Sequence, residues 1–125
     1  MASLVGHLES GIGDFSQWIA KLHDHYRRKT GLDLFPGTLN VRLALPYRLP
    51  PDPIRLEAQE YGGTVSINLV PCRVFDRSAF ILRTDANERG DGDHPWEVVE
   101  IATDIKLRDA FDLKDGDKVT IEVEA

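Results

Sequence analysis

Between residues 38 and 83 the apolar residues come in short runs, each closed by turn-forming residues, and that spacing limits the chain to a fold of short strands. The runs at 38–45, 54–58, 64–70, 73–75 and 79–83 are separated by a Pro-rich stretch at 46–53, by Gly62 and Gly63, and by Asp76 and Arg77. Two more strands are expected at 98–102 and 118–124, the second following a turn at Asp115 and Gly116 and placing Val119, Ile121 and Val123 inward. Helical spacing is clearest over 16–30, where Trp18, Ile19, Leu22 and Tyr26 share a face, Asp14 or Ser16 offers a cap and Gly31 a stop. A short second helix is expected at 107–111. With no internal repeat and no linker, about six strands and two helices, one longer and one short, should close around one core over 1–125 as a mainly β, small barrel.

A net charge of −6 argues against a phosphate-backbone partner, which clustered cations would have to bind. The basic cluster Arg27, Arg28 and Lys29 falls at an expected helix end, where cations oppose the helix dipole; phosphate binding is the alternative. No apolar run approaches the roughly 20 residues of a membrane helix. The first six residues lack both the basic start and the apolar stretch of a signal peptide, so the expected setting is soluble and cytoplasmic. A single Cys72 excludes an internal disulfide and reads as a packed thiol, with a nucleophile as the alternative. His23 and His25 are two apart on a helix and do not converge on one ion. The polar segment 85–93 reads as a mobile, solvated loop whose acidic spacing does not fit an EF-hand.

The stretch Phe35-Pro36-Gly37-Thr38-Leu39-Asn40-Val41-Arg42-Leu43 is a turn feeding a strand. Leu39, Val41 and Leu43 would face a core, and Thr38, Asn40 and Arg42 would line the opposite face, as ordinary surface or as a site.

That GTLNV core, preceded by Ser10-Gly11-Ile12-Gly13 and followed by His94-Pro95, Val99-Glu100-Ile101, Leu107-Arg108 and Leu113-Lys114-Asp115-Gly116-Asp117, resembles the archaeal-type CTP-dependent riboflavin kinases. The resemblance covers nearly the whole chain and implies a six-stranded cradle-loop barrel that transfers phosphate from CTP to riboflavin, giving FMN and CDP. It implies that Thr38 and Asn40 bind Mg²⁺, an ion that prefers oxygen ligands and shares its shell with phosphates and water. It implies a nucleotide site built from Gly11, Ile12, Gly13, Asp14, Phe15 and Ser16 and from Ile105, Lys106, Leu107 and Arg108. The flavin would meet Thr84, His94 and Glu100, with Glu100 positioned to take the proton of the riboflavin hydroxyl. An outward-facing strand carboxylate is the plain alternative for Glu100, and a solvated helix start for Lys106 and Arg108. The chain departs from the family at Phe15 and Ser16, where a Gly and often a basic residue stand; Arg42 is a candidate for the missing charge. A flavin ring pocket would be built from apolar residues such as Phe75, Phe80 and Trp96, but these are equally good core, and packing is the first reading for each. Two rival readings are a non-catalytic flavin- or nucleotide-binding relative and a swapped-hairpin DNA-binding regulator.

Overall fold

The computed structural model describes residues 2–11, 14–92 and 94–123, with Asp14 by its backbone alone. In chain order the strands are β1 (Ala2–Glu9), β2 (Leu39–Leu43), β3 (Ile54–Leu56), β4 (Ile67–Val74), β5 (Arg77–Thr84), β6 (Val98–Ala102) and β7 (Lys118–Val123). The helices are α1 (Asp14–Lys21), α2 (His23–Thr30), α3 (Asp85–Glu88) and α4 (Leu107–Ala110). Strands β4, β5, β6, β2, β1 and β7 pair antiparallel in that order, and β7 returns to β4 to close a six-stranded barrel. Strand β3 adds to β4 outside the ring.

Alternation along each strand divides the apolar residues into two cores. Leu39, Val41 and Leu43 of β2 join Ile81, Val99, Ile101 and Ile121 inside the barrel. On the outside, Leu69, Phe80, Leu82 and Ala102 pack under Ile19, Leu22 and Tyr26 of α1 and α2. Burial of one such Leu or Ile side chain stabilises the fold by about 1.5–3 kcal/mol. The helix pair therefore covers one part of the outer barrel face and leaves the part beside it open.

The barrel expected from the sequence is present, and several local expectations are corrected. The segment expected as one helix is two, bent at Leu22, where φ is −105° and ψ 26°. Helical hydrogen bonds from Leu22 N–H to Trp18 O and from Tyr26 N–H to Leu22 O flank the bend, so the apolar period runs across it unbroken. Trp18 leaves the shared core face and is 39% exposed. Strand β1 was not expected at all, because its inward alternation of Leu4, Gly6 and Leu8 is interrupted by a glycine. A Cβ at Gly6 would run into the Arg42 carbonyl oxygen of β2, so this position excludes a side chain. Strand β4 runs through Pro71, which lies between its pairings with β3 at Ile67 to Leu69 and with β7 at Cys72 to Val74. A missing N–H interrupts neither pairing there. The β4–β5 turn is at Phe75 and Asp76, both with positive φ (50° and 59°), rather than at Asp76 and Arg77. The Phe75 ring is stacked on Phe111 at 4.6 Å between centroids.

Over 85–92, the described part of the segment expected as a mobile loop, the chain is a structured strap. Its apolar residues are few, and charge anchors it instead: Asp85 accepts two hydrogen bonds from Arg55, at 2.9 and 3.0 Å, and one from Asn68 at 2.8 Å. Glu88 accepts from Arg83 at 3.1 Å and from Arg48 at 2.9 Å. The Thr84 hydroxyl accepts the Asn87 N–H and caps α3. No helix among the described residues is long and apolar enough to cross a membrane.

Candidate active site

Strand β2 carries Asn40 on the outer barrel face, directly opposite Glu100 of β6 in the pairing register. Both are buried, at 6% and 7% exposure, although neither belongs to the apolar cores. Thr38 sits just ahead of β2, and its Oγ1 donates a hydrogen bond to Glu100 Oε1 at 2.8 Å. The other oxygen, Oε2, stands 3.6 Å from His94 Nε2. Asn40 Oδ1 is buried without a hydrogen-bond partner among the described residues, an arrangement proteins rarely leave unfilled. Gly11 lies so close over this amide that a Cβ would overlap it. Four sequence-selected residues, Thr38, Asn40, Glu100 and His94, thus converge, and Gly11 closes over one of them.

Two cavities meet at this cluster. The larger, of about 310 Å³, is walled by Phe15, Trp18 and Tyr61, by Thr84 and the strap residue Asn87, and by His94 and Glu100. The smaller, of about 70 Å³, is bounded by Thr38 and the 105–108 segment, with Phe35 and Ile101. Thr38 borders the one and Glu100 the other, so their hydrogen bond is the joint between the two spaces. Ligand pockets commonly span about 300–1,000 Å³, which the larger cavity reaches on its own.

The sequence-selected nucleotide residues divide. Ile105, Lys106, Leu107 and Arg108 all border the smaller cavity. Lys106 is half-exposed, with Asp109 at 3.7 Å. Arg108 is held by Asp115 at 2.6 Å, and the opposite oxygen of that carboxylate accepts from Ser10 Oγ, also at 2.6 Å. These bonds, Ser10 first and Arg108 second, hold the Asp115 carboxyl below its usual range. Asp115 therefore ties the start of the Gly-rich segment to α4, and the signal for it was the turn before the last strand. Ile12 and Gly13 lie outside the described residues, as does the side chain of Asp14. Phe15 borders the larger cavity, and Ser16 is half-buried in α1. Arg42, the candidate for the missing positive charge, is paired with Glu9 at 2.8 Å on the surface.

Of the aromatic residues weighed for a ring pocket, none lines the larger cavity. Phe75 packs against the barrel core, Phe80 lies in the outer core, and Trp96 lies under Arg48, whose guanidinium is 4.2 Å from its ring centroid. The rings at the larger cavity are instead Phe15, Trp18 and Tyr61. Trp18 was hidden by its helical spacing, and Tyr61 by its place next to a glycine pair. Cys72 is buried, and burial pushes its thiol up to about 12, which leaves it an unreactive neutral group.

Comparison with known proteins adds to this geometry. A family model, CTP-dep_RFKase, described as a domain of unknown function (DUF120), matches residues 8–123. The chain is 35% identical over 131 residues to a riboflavin kinase of Pyrococcus abyssi, covering 96% of this chain and 58% of that protein. It is 32% identical over 135 residues to a riboflavin kinase of Pyrobaculum aerophilum, covering 96% and 60%. A riboflavin kinase of Methanocella arvoryzae is 32% identical over 130 residues, covering 95% and 56%. The chain spans about three fifths of the length of these curated relatives.

Proposed function

The chain belongs to the CTP-dep_RFKase family, and on that footing we propose that it is a riboflavin kinase that takes phosphate from CTP and releases FMN and CDP. The observation that carries this reading is the bond from Thr38 Oγ1 to Glu100 Oε1, which joins a ring-sized cavity to a second space bordered by basic residues. In this reading riboflavin occupies the larger cavity, with Thr84 and His94 at its edge and its terminal hydroxyl beside Glu100. The nucleotide lies along 105–108 with its phosphates toward the segment from Gly11 to Ser16.

Glu100 orients the hydroxyl and takes its proton as the oxygen attacks the γ-phosphorus, while the bond to the β-phosphate oxygen breaks and CDP leaves. Positioning of the two substrates across the Thr38 and Glu100 joint supplies most of the rate gain. Thr38 and Asn40 would hold Mg²⁺, which when bound neutralises triphosphate charge. The residues fit that ion: Asn40 Oδ1 is buried with no hydrogen-bond partner among the described residues, and those residues form no cage of three or more His, Cys, Asp or Glu side chains. Magnesium sites that complete their shell with phosphate and water need no such cage. The free, buried Cys72 suits a reducing compartment, and the proposed setting is the cytoplasm.

The test is product analysis of riboflavin incubated with Mg²⁺ and either CTP or ATP. FMN with stoichiometric CDP, faster from CTP than from ATP, is expected. FMN made only from ATP would overturn the donor, and flavin binding with no FMN from either donor would make the protein a non-catalytic binder.

A further inference from the structure

The larger cavity has a wall that no residue of the Thr38, Asn40 and Glu100 cluster explains. Trp18 stands on the exposed side of α1, 39% exposed, although its helical spacing would let it share the core face of Ile19 and Leu22. Its ring is 6.4 Å from that of Tyr61, tilted by 60°, and both line the cavity. Tyr61 is held there from several sides. Its hydroxyl donates to the Val65 carbonyl, and its ring also meets His25 at 6.2 Å between centroids. The turn that carries it is closed by Gly63 N–H to Ala58 O at 2.9 Å, and Gly62 adopts a φ of 71°. At Gly63 a Cβ would overlap the Tyr61 ring, so the glycine makes room for that ring. The same cavity is lined by groups that hydrogen-bond, Thr84 and Asn87, together with the apolar Val65, Ile67 and Ala86.

We propose that Trp18 and Tyr61, with Gly63 as the residue that makes room, are specificity-determining residues that recognise the planar heteroaromatic ring of the acceptor by stacking. The inference rests on the kinase reading for the identity of the acceptor and adds which residues read its ring. A planar ring system can stack its π face on Trp18, meet the ring of Tyr61, tilted by 60° from Trp18, at an angle and offer polar edges to Thr84 and Asn87, whereas a sugar or an aliphatic chain would leave the aromatic surface poorly covered. Stacking on an aromatic side chain tolerates changes at the ring edge and responds sharply to loss of the side chain.

The experiment measures binding separately from turnover. Riboflavin and lumichrome, the ring without its ribityl chain, are titrated into the full chain and into Trp18→Ala, Trp18→Phe and Gly63→Ala, with flavin fluorescence as the readout. Ribitol serves as competitor. Expected are binding of both ring compounds, about tenfold weaker binding of both in Trp18→Ala and Gly63→Ala, near-complete rescue in Trp18→Phe, and no competition by ribitol. The KM for CTP should be unmoved in all three variants, which a general loss of structure would not allow. Wild-type affinity in both Trp18→Ala and Gly63→Ala would overturn the inference and leave the kinase reading standing. Lumichrome binding that depends on Trp18, in a protein that phosphorylates no riboflavin, would support the inference and overturn the kinase reading. Failure of the unaltered protein to bind either ring would overturn the inference.

Discussion

The two faces of β2 and β6 are built from the same strands and answer to different demands. Inward, Leu39, Val41, Val99 and Ile101 meet in an apolar core that is almost wholly closed to solvent. Outward, two positions of the same strands hold Asn40 and Glu100, buried and polar, beside cavities that α1 and α2 leave uncovered. The inner face lowers the free energy of the barrel by excluding water. The outer face keeps, beside a buried carboxylate held by Thr38, an amide oxygen with no hydrogen-bond partner among the described residues, a group that costs stability unless something binds it. Where a sheet this well packed tolerates such a group, binding is the physical reason to look for.

The largest effect expected is on the inner face. Ile81→Ala, at a position with no exposed surface, should cost about 2–5 kcal/mol in urea denaturation. Riboflavin affinity of the molecules that remain folded should stay close to that of the unaltered protein. On the outer face the pattern should invert. Asn40→Leu replaces an amide whose buried oxygen has no partner among the described residues by an apolar group of similar size, so stability should change by less than about 1 kcal/mol. Turnover should nevertheless fall by about 10²-fold, with the rate requiring higher Mg²⁺. A loss of stability in Asn40→Leu as large as that in Ile81→Ala would erase the distinction between the faces.

A smaller effect concerns the strap that walls the larger cavity. Hydrogen bonds from Arg55, foremost, and from Asn68 hold the Asp85 carboxyl below the usual carboxylate range. Its contribution is therefore present in full above the unfolded value, near 3.9, and is lost as pH falls through the lower folded value. Amide exchange over 85–91 should quicken below about pH 4 before that of β5, and Asp85→Asn should give fast exchange at neutral pH as well. For this half-exposed pair the effect is about 1 kcal/mol or less. Least of all in stability is Asp115→Asn at the surface, within about 0.5 kcal/mol, but it removes the charge and one of the two acceptor oxygens that hold Ser10 and Arg108. The KM for CTP should rise a few-fold, with that for riboflavin unchanged in steady-state kinetics.

The same contrast explains what could be read from the sequence. Period-two alternation marks the inner face wherever a strand buries apolar residues, so β6 and β7 were found nearly to the residue and β2 was found but drawn too long, over 38–45 rather than Leu39–Leu43. Strand β1 was hidden because Gly6 puts no side chain where the alternation needs one, and β4 was divided because Pro71 usually ends a strand. At the site, Thr38, Asn40 and Glu100 were legible through the GTLNV and Val-Glu-Ile motifs and their shared outer face. Trp18 and Tyr61 were not, because helical spacing makes a tryptophan look like core and a tyrosine beside two glycines looks like turn. The strap was misread as mobile because its anchors, Arg55, Asn68, Arg83 and Arg48, lie far from it in the chain. Long-range ion pairs leave no local pattern in composition.

The central claim is that Glu100, at the joint of the two cavities, handles the proton of the acceptor hydroxyl. Glu100→Gln keeps the size and the hydrogen-bonding reach of the side chain and removes its basicity. Single-turnover formation of FMN from riboflavin and CTP should fall by about 10²-fold or more in this variant, with riboflavin and CTP bound as tightly as before. An unchanged rate at full occupancy would contradict the account.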